Sequence, residues 1–410
     1  MGRIVVQKFG GTSLAGAADR DRAVEHVERA VEDGYSPVVV VSAMGRRGDP
    51  YATDTLLGLA EAEGGELDAR DVDLLLSCGE VISAVVMAQA LRSRGRRAVA
   101  LTGAQAGIVT DEHFGDARIL RVEGRRVMQA VEEGVIPVVT GFQGVSTSGE
   151  VTTLGRGGSD TTAAALAVAL GAELLEVYTD VDGVKTADPR LVPEAVTIAR
   201  ATYREVAELA HHGAKVIHPR AVEIAMNGQV AMRIKPIASD GEGTLVSDAR
   251  PGAGFDGPGD RPVTGIAHVL DLTQVLVEPP PEEGTAVRLF RELGEASISA
   301  DMIHVAPDRI AFIVEGKASR RVERILGSLG WQHKVRGGLA KVSAVGAGMH
   351  GVPGVMARVA ACLERAGVPI LQTSDSHANI SCLVPQDRVR EAVVALHEEF
   401  RLGQAARGER

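Results

Sequence analysis

The stretch from Thr152 to Arg190, TTLGRGGSDTTAAALAVALGAELLEVYTDVDGVKTADPR, decides how the chain is read. Its first third, Gly155-Arg156-Gly157-Gly158-Ser159-Asp160, is a glycine-flanked turn placed before a run of helix formers. Backbone N–H groups left unpaired at a helix start face any anion that docks there, and Arg156 places a cation inside that cradle. Ser159 is a good N-cap, the run from Thr161 to Leu170 is apolar on every face, and Gly171 stands where a left-handed residue ends a helix. Such a helix is expected to be buried. Leu174 to Tyr178 then form a short strand, broken by the turn Asp180-Val181-Asp182-Gly183. In open α/β sheets ligands bind at the carboxyl ends of strands, where Thr179 and Asp180 fall, and Lys185 and Arg190 follow within one loop. For that loop alone, a solvated αβ connection is an equal reading.

The N-terminal segment repeats the pattern. Ile4-Val5-Val6 is a β-branched strand that runs into Lys8-Phe9-Gly10-Gly11-Thr12-Ser13, and a helical pattern covers Asp19 to Glu32. Strand, glycine turn and helix let backbone amides approach a phosphate, although the order differs from G-x-x-x-x-G-K-[ST] and a plain turn remains the alternative. Only seven of the 44 cations are lysines, and Lys8, Lys185 and Lys215 all fall beside glycine turns. A compact ammonium suits a transferring phosphoryl group where a forked guanidinium fits poorly. Val38 to Val41 is an all-apolar strand closed by Ser42-Ala43-Met44-Gly45. Leu74-Leu75-Leu76 leads to Ser77-Cys78-Gly79-Glu80, with a helix expected from about Val81 to Leu91 and Glu80 at its start, where the helix dipole favours an acid. Short strands at Val99–Leu101 and Val135–Val139 continue the alternation to about residue 245, the pattern of a three-layer α/β/α sandwich with a mostly parallel sheet.

Thr202-Tyr203-Arg204-Glu205 is a capping box for a further helix stopping at Gly213, and Lys215 precedes His218-Pro219 and another. His211, His212 and His218 lack metal-ligand spacing, and no metal site of the chain's own is expected. Composition shifts to glycine and proline at 248–262, read as a linker. Beyond it the chain repeats: Gly284, Arg288 and Leu293 each recur 70 residues later as Gly354, Arg358 and Leu363. Each copy reads strand, loop, helix, strand, strand, helix, a small ferredoxin-like unit, with strands expected at Ile298–Ile303 and Val368–Thr373. The formal G-x-G-x-x-G at 346–351 is rejected as a dinucleotide motif, because Pro353 interrupts the helix start and no acid follows at the right distance.

The 410 residues suggest two or three domains, and 45% hydrophobic with 24% charged residues is ordinary for a globular protein. A net charge of -10 argues against nucleic acid or an anionic membrane as partner, so anionic ligands must be held by local cations. Three scattered cysteines make neither a disulfide framework nor a thiolate metal site, which fits a reducing cytoplasm. The start, MGRIVVQKFGG, enters a strand without the pattern of a signal peptide, and even Ala163 to Ala172 is too short to span a membrane.

KFGGTS, VSAMG, SCGE, GRGGSD, YTDVDG with TADPR, and GAKVIHPRAVEIA occur in one order along the chain. Together they resemble the aspartate kinases of the amino-acid-kinase family, and the tail resembles the paired ACT domains of their allosteric members. The loop GRRGDPYATD and the segment LQTSDSHANIS look most like the diaminopimelate-sensitive isozyme of Gram-positive bacteria. The resemblance implies a catalytic domain over 1–247, the linker, and ACT domains over 263–337 and 338–402. It implies ATP- and Mg²⁺-dependent phosphorylation of the β-carboxylate of L-aspartate. Lys8 and Asp160 match catalytic positions; Thr53, Glu80, Arg156 and Ser159 match aspartate-binding ones. Lys8, Gly10, Gly11, Ser42, Thr179, Asp180, Lys185, Arg190 and Lys215 match the nucleotide side, with Lys185 where several members carry an aromatic residue. Ser299, Asp301, Ser374 and Asp375 match effector positions, Pro281 replaces an acid common in lysine-sensitive relatives, and effector binding between ACT units implies a homo-oligomer.

Overall fold

The computed structural model describes residues 2–45, 48–214, 216–248, 262–280, 284–349 and 352–403. Lys215, Pro281, positions 350–351 of the glycine motif and linker residues 249–261 lie outside the described residues. What is described falls into two compact units, one within 2–184, 197–210 and 216–248, the other within 185–196, 211–214 and 262–403.

The first unit opens with β1 (Arg3–Phe9), α1 (Ala17–Glu32), β2 (Tyr35–Val41), α2 (Thr53–Ala62), α3 (Ala69–Ser93) and β3 (Ala98–Leu101). β4 (Ile108–Thr110), β5 (Ile119–Val122), α4 (Arg125–Glu132), β6 (Ile136–Thr140), β7 (Gln143–Ser146) and β8 (Val151–Thr153) follow. It closes with α5 (Gly158–Ala169), β9 (Leu174–Thr179), β10 (Arg200–Ala201), α6 (Tyr203–His211), α7 (Pro219–Asn227), β11 (Ala231–Pro236) and β12 (Thr244–Val246). Eight strands form one sheet in the order β10-β12-β11-β9-β1-β2-β6-β3, parallel except for the β11–β12 pair. Side chains alternate across a strand, so Phe9, Val39, Val41, Val138 and Tyr178 pack under α1 and α3 while Lys8 points to the opposite face, toward α5. A second sheet, β5-β4-β7-β8, was not legible in the sequence because its strands have only three or four residues.

Three expectations are corrected. Glu80 does not start a helix: α3 runs unbroken through Gly79, whose missing Cβ leaves room for Ala43 Cβ and Thr53 Cγ2, 2.8 and 3.0 Å from where it would stand. Ser159 is not the N-cap of α5; left-handed Gly157 takes that place because the His218 ring lies against it, only 2.2 Å from where a Cβ would stand. The strands expected at Ile298 and Val368 begin later, as β14 (Asp301–Ala306) and β17 (Gln372–Asp375). The apolar run of α5 is buried as expected from Thr161 to Ala167, while Ala169 in its last turn is exposed; Gly171 follows its C-cap at φ +60°, and Thr202 and Glu205 form the capping box reciprocally.

α3 is long and apolar enough to cross a membrane by length and composition. Its buried face nevertheless carries Asp73, Ser77, Glu80 and Ser83, of which Asp73, Glu80 and Ser83 accept hydrogen bonds from other segments, as a core helix does.

The second unit contains β13 (Gly265–Glu278), α8 (Thr285–Glu295), β14, β15 (Arg309–Glu315), α9 (Ser319–Leu329) and β16 (Gln332–Val345). α10 (Val355–Arg365), β17, β18 (Asn379–Pro385) and α11 (Val389–Glu399) complete it. The repeat read from sequence is present, with left-handed Gly284 and Gly354 as matching N-caps. Its copies share one antiparallel sheet, β14-β15-β13-β16-β18-β17. Each long central strand serves both cores: Ile266, Val342 and Ala344 pack with α10 and α11, whereas Val275, Val277 and Val335 pack with α8 and α9. β16 therefore runs across the 337/338 division drawn from sequence.

Candidate active site

The carboxyl ends of β1, β2, β6 and β9 lie side by side, because the parallel register sets Phe9 between Val41 and Tyr178 and Val41 beside Thr140. β1 turns at Gly10-Gly11, where Ser13 N donates to Gly10 O at 3.0 Å. Only glycine fits at position 11, since a Cβ there would stand 2.4 Å from Ala43 O. Lys8 folds back over this turn and ion-pairs with Asp160 at 2.7 Å; the side chains are 13% and 12% exposed. The other oxygen of Asp160 accepts from His218 N at 3.3 Å, so the first turns of α5 and α7 hold the carboxylate that holds the lysine. A largely buried ammonium on a rigid strand end is a fixed point charge.

On α3, Glu80 is 4% exposed. Its Oε1 accepts from Ala43 N at 3.0 Å, and its buried Oε2 has no partner. Burial pushes the carboxyl up to about 7 against the pull of the Ala43 amide. Ser83 Oγ accepts from Met44 N, so α3 fixes the whole 42–45 loop, including Ser42, whose own N–H donates to Phe9 O. Thr53, the first residue of α2, presses its methyl on Gly79. Ser159 is buried against Gly141, which has no room for a Cβ, while Arg156 is exposed in the turn before α5. Two further hydroxyls, Ser13 Oγ and Thr140 Oγ1, are buried without a partner at these strand ends. Buried polar groups are normally paired, so this set is suited to a polar ligand.

Thr179 and Asp180 are where the sequence put them, at the end of β9, with Thr179 Oγ1 donating to Asp180 at 3.2 Å. Lys185 and Arg190 belong to the second unit. Their segment buries Ala187, Val192 and Ala195 in its core, Thr186 O accepts from Ile266 N, and Thr186 Oγ1 lies 3.0 Å from His397 Nε2. Arg190 grips Asp188 with two nitrogens and holds its carboxyl below the usual range. Among the effector candidates, Ser374 and Asp375 line a cavity of about 350 Å³ with Met349, Gly354, Met356 and Thr373. Ser299 is exposed, and Asp301 is ion-paired to Lys341.

Sequence reasoning missed Asp73. It is fully buried and accepts from Gly115 N, Thr153 N and Thr153 Oγ1, tying the small sheet and the strand before Arg156 to the helix that carries Glu80. The signal existed: Asp73, Ser77 and Glu80 recur at helical spacing on one face of an otherwise apolar run.

No group of three or more His, Cys, Asp or Glu side chains among the described residues could hold a metal ion. The fit is instead to an anionic ligand that brings its own metal, as Mg²⁺ usually does with nucleotide phosphates.

Residues 3–236 match the model of the amino acid kinase family, and residues 334–398 match that of the ACT domain. The chain is 45% identical to aspartokinase 1 of Bacillus subtilis, covering 98% of this chain and 99% of that protein. It is 37% identical to an aspartokinase of Thermus thermophilus over 98% of this chain and all of that protein. Its fold superposes on E. coli aspartokinase III in complex with aspartate and ADP (R-state) with a TM-score of 0.81 at 26% identity, covering 97% and 99% of the two chains. The same enzyme with lysine and aspartate (T-state) gives 0.76 at 25% identity over 97% and 99%.

Proposed function

The chain belongs to the amino acid kinase family and, within it, to the aspartokinases, and from that premise we propose that it transfers the γ-phosphoryl group of ATP to the β-carboxylate of L-aspartate under feedback control. An aspartate oxygen forms the new P–O bond, the bond from Pγ to the β,γ-bridging oxygen breaks, and its electron pair leaves on ADP. The product is 4-phospho-L-aspartate. The nucleophile is already ionised at neutral pH, so no general base is required, and catalysis reduces to holding two anions together while charge spreads over the transferring group.

The Lys8–Asp160 pair carries this reading: a shielded ammonium fixed at a strand end beside a glycine turn and the start of a buried helix. Lys8 neutralises the transferring phosphoryl group, Asp160 positions Lys8, and the turns at Gly10-Gly11 and Ser42 admit phosphates to backbone amides. Mg²⁺, carried on the nucleotide's phosphates, supplies the remaining positive charge. Thr179 and Asp180 border the nucleotide at the end of β9, and Lys185, Arg190 and Lys215 are assigned to it through the family motif alone.

Glu80 Oε2 receives the α-ammonium of aspartate, with Thr53 and Ser159 beside it, and Arg156 grips the α-carboxylate with its fork. The elements up to β12 do the chemistry, and those from β13 onward bind an amino-acid effector, which we assign to the cavity lined by Ser374 and Asp375. Ser299 and Asp301 are the matching positions of the first copy, and an effector between ACT units calls for at least a homodimer. A coupled assay of ADP release with aspartate, glutamate and N-acetylglutamate tests the assignment. Turnover with aspartate alone supports it, and turnover with either rival but not aspartate overturns it.

A further inference from the structure

Ser13 is 1% exposed, and its Oγ has no hydrogen-bond partner among the described residues. Two backbone bonds fix it beside the first glycine turn. Its own N–H donates to Gly10 O at 3.0 Å, and the N–H of Leu14 donates to Gly11 O at 3.3 Å. Leu14 is buried in the core under α1 and α3. A buried hydroxyl that serves only the fold is normally paired, because an unmet buried donor costs stability.

The space in front of Gly10 supplies the reason. A Cβ on Gly10 would meet Lys8 Nζ at 3.7 Å, Ser13 Oγ at 3.9 Å and Tyr178 O at 3.9 Å, all ordinary contacts, and Gly10 is not among the glycines with positive φ. Neither packing nor backbone strain requires glycine here, in contrast to Gly11. The missing Cβ leaves a cradle bounded by an ammonium, a hydroxyl and a carbonyl. The carbonyl only accepts hydrogen bonds and repels an anionic oxygen, so a phosphoryl group seated there turns its oxygens toward Lys8 and Ser13.

We propose that Ser13 is a catalytic residue of the phosphoryl transfer set out above, on which this role rests: its Oγ–H donates to a non-bridging oxygen of the γ-phosphoryl group, across the cradle from Lys8. The hydroxyl keeps its proton, and the P–O bonds made and broken are those already described. Charge spread over the non-bridging oxygens then meets one cation and one neutral donor, both in place before substrate arrives. No hydrogen bond within the chain has to break first.

The experiment compares full-length wild type, Ser13→Ala and Gly10→Ala by aspartate-dependent ADP release, ADP affinity and thermal unfolding without ligand. Ser13→Ala is expected to lower kcat about 100-fold, the usual loss for one preorganised donor. The aspartate KM and the Kd of ADP, which lacks the γ-phosphoryl group, should stay within about threefold of wild type. Its Tm should equal or exceed that of wild type, since the change removes an unpaired buried hydroxyl. Gly10→Ala should unfold near the wild-type Tm and lose kcat at least tenfold, because its methyl group fills the cradle. A kcat for Ser13→Ala within tenfold of wild type overturns the proposal, as does full activity of Gly10→Ala. A matching loss of ADP affinity in Ser13→Ala moves the hydroxyl to another phosphate, and a lowered Tm assigns it to folding; either overturns the proposal as well. Wild type that releases no ADP with aspartate defeats the phosphoryl-transfer reading itself, whereas an active wild type beside an equally active Ser13→Ala removes Ser13 alone.

Discussion

Replacing Glu80 by glutamine separates what this carboxyl does for folding from what it does for substrate. Burial raises the group from its ordinary 4.5 to about 7. The folded state therefore holds a proton that the unfolded chain has released, and stability falls as pH rises from about 4.5 to about 7, staying low above that. At about 1.4 kcal/mol per unit, the penalty is on the order of 3 kcal/mol at pH 8.5. Glutamine keeps an acceptor for Ala43 N and cannot ionise. Ligand-free Glu80→Gln is thus expected to be more stable than wild type by about 3 kcal/mol at pH 8.5, with no difference at pH 4.5. The same variant should raise the aspartate KM by about 30-fold or more, equivalent to about 2 kcal/mol, because the ammonium loses its charged partner. Unfolding of both proteins at the two pH values, followed by steady-state kinetics, gives both numbers. A stability difference independent of pH, or an unchanged KM, refutes the reasoning.

Lys8→Ala should lower kcat by about 100- to 1,000-fold, the usual loss for one preorganised charge, and turnover within threefold of wild type would remove Lys8 from the chemistry. Asp73→Asn leaves a donor facing Gly115 N and Thr153 N; it should raise the aspartate KM while the ATP KM stays constant, and equal changes in both would assign Asp73 to general stability. In the tail, inhibition by meso-diaminopimelate should exceed that by lysine and be lost in Asp375→Ala. Strong inhibition by lysine alone would transfer the effector reading to another site.

The sequence by itself determined the sandwich, the glycine turns and the duplicated tail, because these depend on local features: runs of β-branched residues, glycine where no Cβ fits, and a 70-residue period. It also named Lys8, Asp160, Glu80 and Arg156 as residues in glycine-rich motifs. Tertiary structure alone decided what those residues touch. Asp160 meets Lys8 from 152 positions away only because α5 lies on the face of the sheet to which Lys8 points. Glu80 lies within a helix rather than at its start, since Gly79 serves the approach of Ala43 and Thr53, a contact no local pattern announces. Lys185 and Arg190 sit five and ten residues beyond Asp180, yet their segment is built into the core of the second unit by Ala187, Val192 and Ala195. Small apolar residues in a loop carry no periodic signal. Their burial depends on chain more than 70 residues further on, and distance along the sequence hides such contacts.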